Sequence, residues 1–193
     1  MSGPRREFGI FGPVGPPIGS LAEVQIAVAT ADDCRAIAEV QVRSWQFAYR
    51  DILPAAYLAS LSVSERESKW CRVIENKRSH VQLAQMSRQV IGFVSYGPSR
   101  DDDAPSGCAE VYAIYVHPSF LSTGVGCQLW LAALQQVRAE DYKTITLWVI
   151  AGNDRAVRFY ERAGFLAEPG SRKQFRLGGI VLDEVRYARG EAE

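Results

Sequence analysis

Residues able to do chemistry gather in one stretch, Ile114-Tyr115-Val116-His117-Pro118-Ser119-Phe120-Leu121-Ser122-Thr123-Gly124-Val125-Gly126. An apolar, β-forming run enters a turn at Pro118, and helical apolar spacing follows. The first turn of a helix leaves backbone N–H groups unpaired and carries partial positive charge. A phosphate fits there. Glycines let the backbone approach a phosphate closely and tolerate positive φ. The segment Leu121, Ser122, Thr123, Gly124, Val125, Gly126 thus has the residue types of a pyrophosphate site. A Rossmann site would need G-x-G-x-x-G directly after the first strand, and a Walker loop would need Gly-Lys-Ser/Thr; both are missing. The same glycines also suit a tight strand-to-helix turn, so ligand site and plain turn both stay open at this point.

Other reactive side chains are sparse. Cys34, Cys71, Cys108 and Cys127 are widely spaced, and His80 and His117 are the two histidines. No set stands at metal-ligand spacing, so no metal is expected. Free thiols in a reducing cytosol are the expectation. Asp101, Asp102 and Asp103 fall in a Gly/Pro/Ser-containing stretch from Ser99 to Gly107 that is expected to be a solvated loop.

The elements that position this chemistry follow from periodicity. Gln25 to Ala29 is a weakly alternating first strand. Thr30 with Asp33 starts a helix through Ile37, Val40, Val42, Trp45 and Tyr49. Pro54 opens a short helix with Tyr57 and Leu58. Ser64 with Glu67 is expected to start another, carrying Trp70, Val73 and Ile74. Val81 to Met86 and Val90 to Tyr96 form a hairpin across Ser87-Arg88-Gln89. Ala109 to Val116 is a central strand. Gln128 to Ala139 is helical, Thr144 to Ile150 is a strand, and Asp154 to Ala163 is a helix closed by Gly164. Gln174 to Leu177 and Val181 to Tyr187 flank a Gly178-Gly179 turn. Such an order makes a mixed α/β sheet with helices on its faces.

The chain has 193 residues with 22 basic and 22 acidic side chains, so the formal net charge is zero. That size suits one domain. The balance supplies no field for nucleic acid or a membrane surface, and neither is expected as a partner. No apolar run is long enough to span a bilayer. Arg5 and Arg6 precede a stretch broken by Gly and Pro, unlike a secretion signal, so a cytoplasmic location is expected. Residues 1–22 are rich in Gly and Pro and are expected to be a flexible extension, with the domain over 23–193.

Two segments carry a family resemblance. Tyr115-Val116-His117-Pro118 with Leu121 to Gly126 resembles a strand ending in a Val-x-Pro-like segment, followed by Q/R-x-x-G-x-G/A. Asn153-Asp154-Arg155-Ala156-Val157-Arg158-Phe159-Tyr160-Glu161-Arg162-Ala163-Gly164-Phe165 resembles Asn-x-x-Ala-x-x-Phe-Tyr-x-x-x-Gly-Phe nearly in full. Both patterns are motifs of the GNAT superfamily of N-acetyltransferases, which the chain thus resembles from about Val24 onward. It implies a mostly antiparallel sheet with a splayed central strand pair and helices on both faces. It further implies direct acetyl transfer from acetyl-CoA, as cosubstrate, to an amine of a small molecule or protein, without a metal. A homodimer is compatible with it. A catalytically silent acyl-CoA-binding or sensing module is the alternative from another class.

Site roles follow from the resemblance. N–H groups around Ile114 and Val116 hold the thioester carbonyl and pantetheine arm. The 121–126 loop holds the pyrophosphate through its backbone. Leu121 stands where the family usually has Gln or Arg, which removes a polar side chain. Tyr160 is the general acid for the leaving thiolate, with an amphipathic core tyrosine as the bland alternative. Asn153 caps its helix or bonds the pantetheine arm. Glu110, four residues before Ile114 on one strand and expected on the same side, is the general base. A surface carboxylate paired with a cation is the alternative for it. Tyr112 is expected to line the acceptor cleft. Trp45, Tyr49 and Tyr57 shape the acceptor pocket, with an aromatic core as the alternative for Trp45.

Overall fold

A computed structural model of the chain describes residues 24–190. The segment 1–22, expected to be an extension, lies outside the described residues.

In chain order the elements are β1 (Gln25–Val28), α1 (Cys34–Ala48), α2 (Ala55–Ala59), α3 (Val63–Asn76), β2 (His80–Met86), β3 (Gln89–Pro98), β4 (Cys108–Val116), α4 (Val125–Ala139), β5 (Thr144–Ile150), α5 (Asp154–Arg162), β6 (Leu166–Ala167), β7 (Lys173–Leu177) and β8 (Ile180–Gly190). The sheet runs β1-β2-β3-β4-β5-β8-β6, and β7 pairs β8. Every pairing is antiparallel except β4 with β5. The short β6 escapes the alternation pattern because two residues are too few to show one.

Helices cover both faces. On one, α1 and α3 bury Ile37, Ala38 and Trp70 against Phe93 of β3. On the other, α4 buries Leu129, Trp130 and Ala133, and α5 adds Phe159 and Tyr160. A third cluster packs Tyr49, Leu53 and Leu58 on Leu182 of β8 and Phe175 of β7. α3 starts one residue before the expected Ser64. Its cap is Ser62, whose hydroxyl accepts from the Glu65 N–H at 3.3 Å.

Two sequence expectations are corrected here. Cys34 and Cys71 are not free thiols: they form a disulfide between α1 and α3, with Cα atoms 5.4 Å apart and a sequence separation of 37. Cys108 and Cys127 stay free. The acidic loop is not merely solvated either. Asp101 accepts from the indole N–H of Trp148 and meets Arg186, which also binds Asp103 and Glu168. Reducing the disulfide is expected to cost about 2–4 kcal/mol through the freed unfolded chain. A denaturant titration with and without reductant measures it; coincident midpoints would refute the contribution.

Candidate active site

Pairing between β4 and β5 holds only from Cys108↔Thr144 to Glu110↔Thr146. Both strands then continue, β4 to Val116 and β5 to Ile150, held by β3 and β8 on their outer sides. The sheet therefore opens in a wedge, and its facing strand edges lack ladder partners. Into the wedge opens a cleft of about 460 Å³, within the range of small-molecule sites. Ser44, Phe47 and Tyr49 of the α1 end form one wall; Phe159 and Tyr160 of α5 form another. The Ser44 hydroxyl donates to the Val116 carbonyl at 2.9 Å, tying α1 to the splayed strand.

The glycine loop closes the cleft at the helix start. His117 Nδ1 accepts from the Ser119 N–H at 3.3 Å, and Pro118–Phe120 form one 3-10 turn. The Thr123 hydroxyl donates to the Phe120 carbonyl at 2.8 Å. Backbone φ turns positive at Ser122 (64°) and at Gly124 (91°). Alternating handedness of this kind curls N–H groups around an anion. α4 begins at Val125 rather than at Gln128, which makes Gly124 its cap. Gln128 N–H is the first to reach a helical acceptor, Gly124 O at 3.1 Å. Among the described residues, the amides from Ser122 to Cys127 donate to no backbone carbonyl. Beneath them, a Cβ on Gly126 would stand 3.5 Å from the Phe159 ring and 3.7 Å from Val116 Cγ2. The glycine thus seats the loop on both walls.

Tyr160 lines the cleft, edge-on to Phe159 and Phe165 with centroids 5.3 and 5.8 Å apart. Burial, and then the nearby Tyr115, push its phenol far above the usual range. It therefore stays protonated at neutral pH. Asn153 caps α5, its Oδ1 accepting from the Ala156 N–H at 3.2 Å, and also lines the cleft. Capping uses only the amide oxygen, so both expected roles are compatible. Ile114, Val116, Leu121, Ser122, Gly124, Gly126, Tyr49 and Tyr112 reach the cleft as well.

Glu110 does not. β4 pairs β3 at Ala113↔Ser95 and then at Val111↔Tyr96, so Tyr112 is an inserted residue. A bulge shifts side-chain parity. Val111 and Ile114 consequently both face the α4 core, although three residues apart, while Ala113 and Tyr115 face α1. Glu110 thus points to the opposite side from Ile114, contrary to the same-side expectation. Its carboxylate is buried and accepts from the Arg100 N–H at 3.0 Å, from Nε at 3.1 Å and from Nη2. The same guanidinium lies 4.1 Å above the Tyr112 ring, whose hydroxyl donates to Pro98 O.

Trp45 also stands back from the cleft. It packs edge-on to Tyr49 at 5.2 Å beneath the Arg66 guanidinium. Sequence reasoning overlooked Tyr115, Phe47, Trp148 and the α5 arginines, all of which line the cleft. Alternation puts Tyr115 on the α1 face, opposite Val116, and both line the cleft because it opens at the splayed edge of β4. The arginine spacing of three and four was legible, being one helix face. Among the described residues no group of three His, Cys, Asp or Glu side chains gathers for a metal. No described helix is long and apolar enough to cross a membrane.

The Acetyltransferase (GNAT) family profile matches residues 35–165. The chain is 31% identical over 163 residues to the uncharacterized N-acetyltransferase YuaI of Bacillus subtilis, covering 84% of this chain and 90% of that protein. It is 38% identical over 76 residues to a mycothiol acetyltransferase of Propionibacterium freudenreichii, covering 39% of this chain but 24% of that enzyme. PaiA N-acetyltransferase of Thermoplasma acidophilum, solved with coenzyme A, superposes with a TM-score of 0.69 at 21% identity, covering 87% and 99% of the two chains. Ribosomal-protein-alanine N-acetyltransferase of Brucella melitensis superposes with a TM-score of 0.69 at 20% identity, covering 86% and 99%.

Proposed function

The chain belongs to the GNAT acetyltransferase family, and from that premise we propose that this acetyl-CoA-dependent N-acetyltransferase moves the acetyl group directly to a primary amine of a small molecule or protein, with Tyr160 as general acid. The observation that carries this is the wedge between β4 and β5, which joins the row of unpaired amides at 122–127 to Tyr160 in one cleft. The residues present suit the cosubstrate. Amides of Ser122 to Cys127 would hold the pyrophosphate, and the free edge of β4 at Ile114 and Val116 would hold the pantetheine arm. The cosubstrate, when bound, supplies an acetyl thioester.

Three tasks fall to the protein. Donors at the β4 edge polarise the carbonyl. Tyr160 holds a proton for the departing sulfur, and burial keeps it protonated until then. The amine must shed its own proton, and among the described residues no Asp, Glu, His or Lys lines the cleft. Water carries that proton away, and Glu110 serves as a positioning residue that fixes Arg100 and Tyr112 behind the acceptor wall.

Titration calorimetry with acetyl-CoA, joined to thiol release over an amine panel, tests the proposal. Saturable binding with thiol release is expected. Binding with no release on any amine favours a silent sensor, and no binding removes the proposal. For the active amine, kcat/KM is expected to rise with pH through the amine's own ionisation only. Glu110→Gln should keep that profile while lowering kcat a few-fold. A carboxylate limb near about pH 4–6 that vanishes in Glu110→Gln would instead make Glu110 the base.

A further inference from the structure

The loop from Leu121 to Gly126 brings no basic side chain to the phosphates it is shaped for. Cations reach it from elsewhere. Arg155 of α5 crosses to the loop, its Nη2 donating to the Ser122 hydroxyl at 3.0 Å, 33 residues away in sequence. Ser122 is the loop residue at which φ first turns positive. Arg158 and Arg162 follow at helical spacings of three and four, and all three arginines are exposed and line the cleft. Arg155 and Arg162 are seven residues apart, roughly 10 Å along a helix.

Their lack of carboxylate partners separates them from cations elsewhere in the fold. Arg100 is paired with Glu110, Lys173 with Asp101 and Glu184, and Arg186 with Asp101, Asp103 and Glu168. Among the described residues, no carboxylate lies within ion-pair distance of Arg155, Arg158 or Arg162. Like charges at these spacings oppose helix formation. In a chain with no net charge, a row of three on one helix face is a local anion-attracting surface.

We propose that Arg155 completes the diphosphate site over the loop, and that Arg158 and Arg162 take the 3′-phosphate of CoA, making the enzyme discriminate CoA from dephospho-CoA. Guanidinium groups suit both phosphates through paired, charge-assisted hydrogen bonds. The assignment rests on the acetyl-CoA reading of the cleft.

Calorimetric titration of CoA and dephospho-CoA into wild type, Arg155→Ala and Arg158→Ala/Arg162→Ala tests it without turnover. Arg155→Ala should weaken both ligands by about tenfold. The double variant should weaken CoA by about tenfold and leave dephospho-CoA unchanged, abolishing the wild-type preference. All three side chains are exposed, so far-UV circular dichroism and melting should match wild type; the charge-retaining controls Arg155→Lys and Arg158→Lys/Arg162→Lys should recover part of the affinity lost in the matching alanine variants. CoA affinity within twofold of wild type in both alanine variants would overturn the proposal. So would equal losses for the two ligands in the double variant. A wild type that binds neither ligand overturns the acetyl-CoA reading itself.

Discussion

Tyr160→Phe is expected to lower kcat by about 100-fold or more while leaving acetyl-CoA affinity within about twofold of wild type. The ring stays, so packing against Phe159 and Phe165 is retained and only the hydroxyl is lost. Pantetheine and pyrophosphate would be held by the β4 edge and the 122–127 amides, which the substitution does not touch. A group that acts only as sulfur leaves removes rate and not binding. Burial raises the phenol's pKa. A raised pKa favours the protonated form, so the donor is present throughout the neutral range. The deficit should therefore be constant from about pH 6 to about pH 9. Thiol release under saturating acetyl-CoA reads kcat, and calorimetry reads affinity. Full turnover in the variant would remove Tyr160 from the chemistry; a collapse of affinity with unchanged kcat would reassign it to binding.

Phe165→Ala is expected to destabilise the fold by about 3–5 kcal/mol. Phe165 is fully buried and ends the Asn153–Phe165 segment. Gly164 before it has φ 86°, a left-handed turn that drops the chain from α5 into the core. The ring then meets Trp130 of α4 at 5.1 Å and Tyr160 at 5.8 Å. Removing it leaves a cavity between α4 and α5, and it withdraws one support of the Tyr160 ring. A urea titration should show the lost stability, and residual folded enzyme should turn over more slowly without a change in pH profile. Val181→Ala provides the contrast: that side chain is 47% exposed, so a change within about 0.5 kcal/mol is expected. A loss below about 1 kcal/mol at Phe165 would mean that the α4–α5 contact is not a principal source of stability.

Much of the architecture was legible because it is written locally. Apolar periods of two and of about 3.6 survive in any window long enough to hold one element, which is how β5 and α5 were located to within a residue. Helix starts were less legible. α4 begins at Val125 because Gly124 in a left-handed conformation can cap it, and the apolar spacing that marks the helix becomes clear only later. Glu110 shows where parity counting fails. One inserted residue at Tyr112 reverses every side chain beyond it, and neither residue type nor hydropathy announces the insertion. The disulfide was equally hidden, since Cys34 and Cys71 meet only through the packing of α1 on α3.

By itself, then, the sequence determined the kinds and order of the elements, the strand–loop–helix that carries Gly124 and Gly126, and the Asn153–Phe165 segment that places Tyr160. Those depend on neighbours along the chain. The tertiary structure alone decided which side of the sheet Glu110 faces, that the Ser44 hydroxyl braces Val116, that the cysteines of α1 and α3 join, and that Arg155 reaches Ser122. Each of these needs two segments brought together from far apart. Only a closed core, with its sheet splayed at one parallel pair, sets the distances at which such groups act.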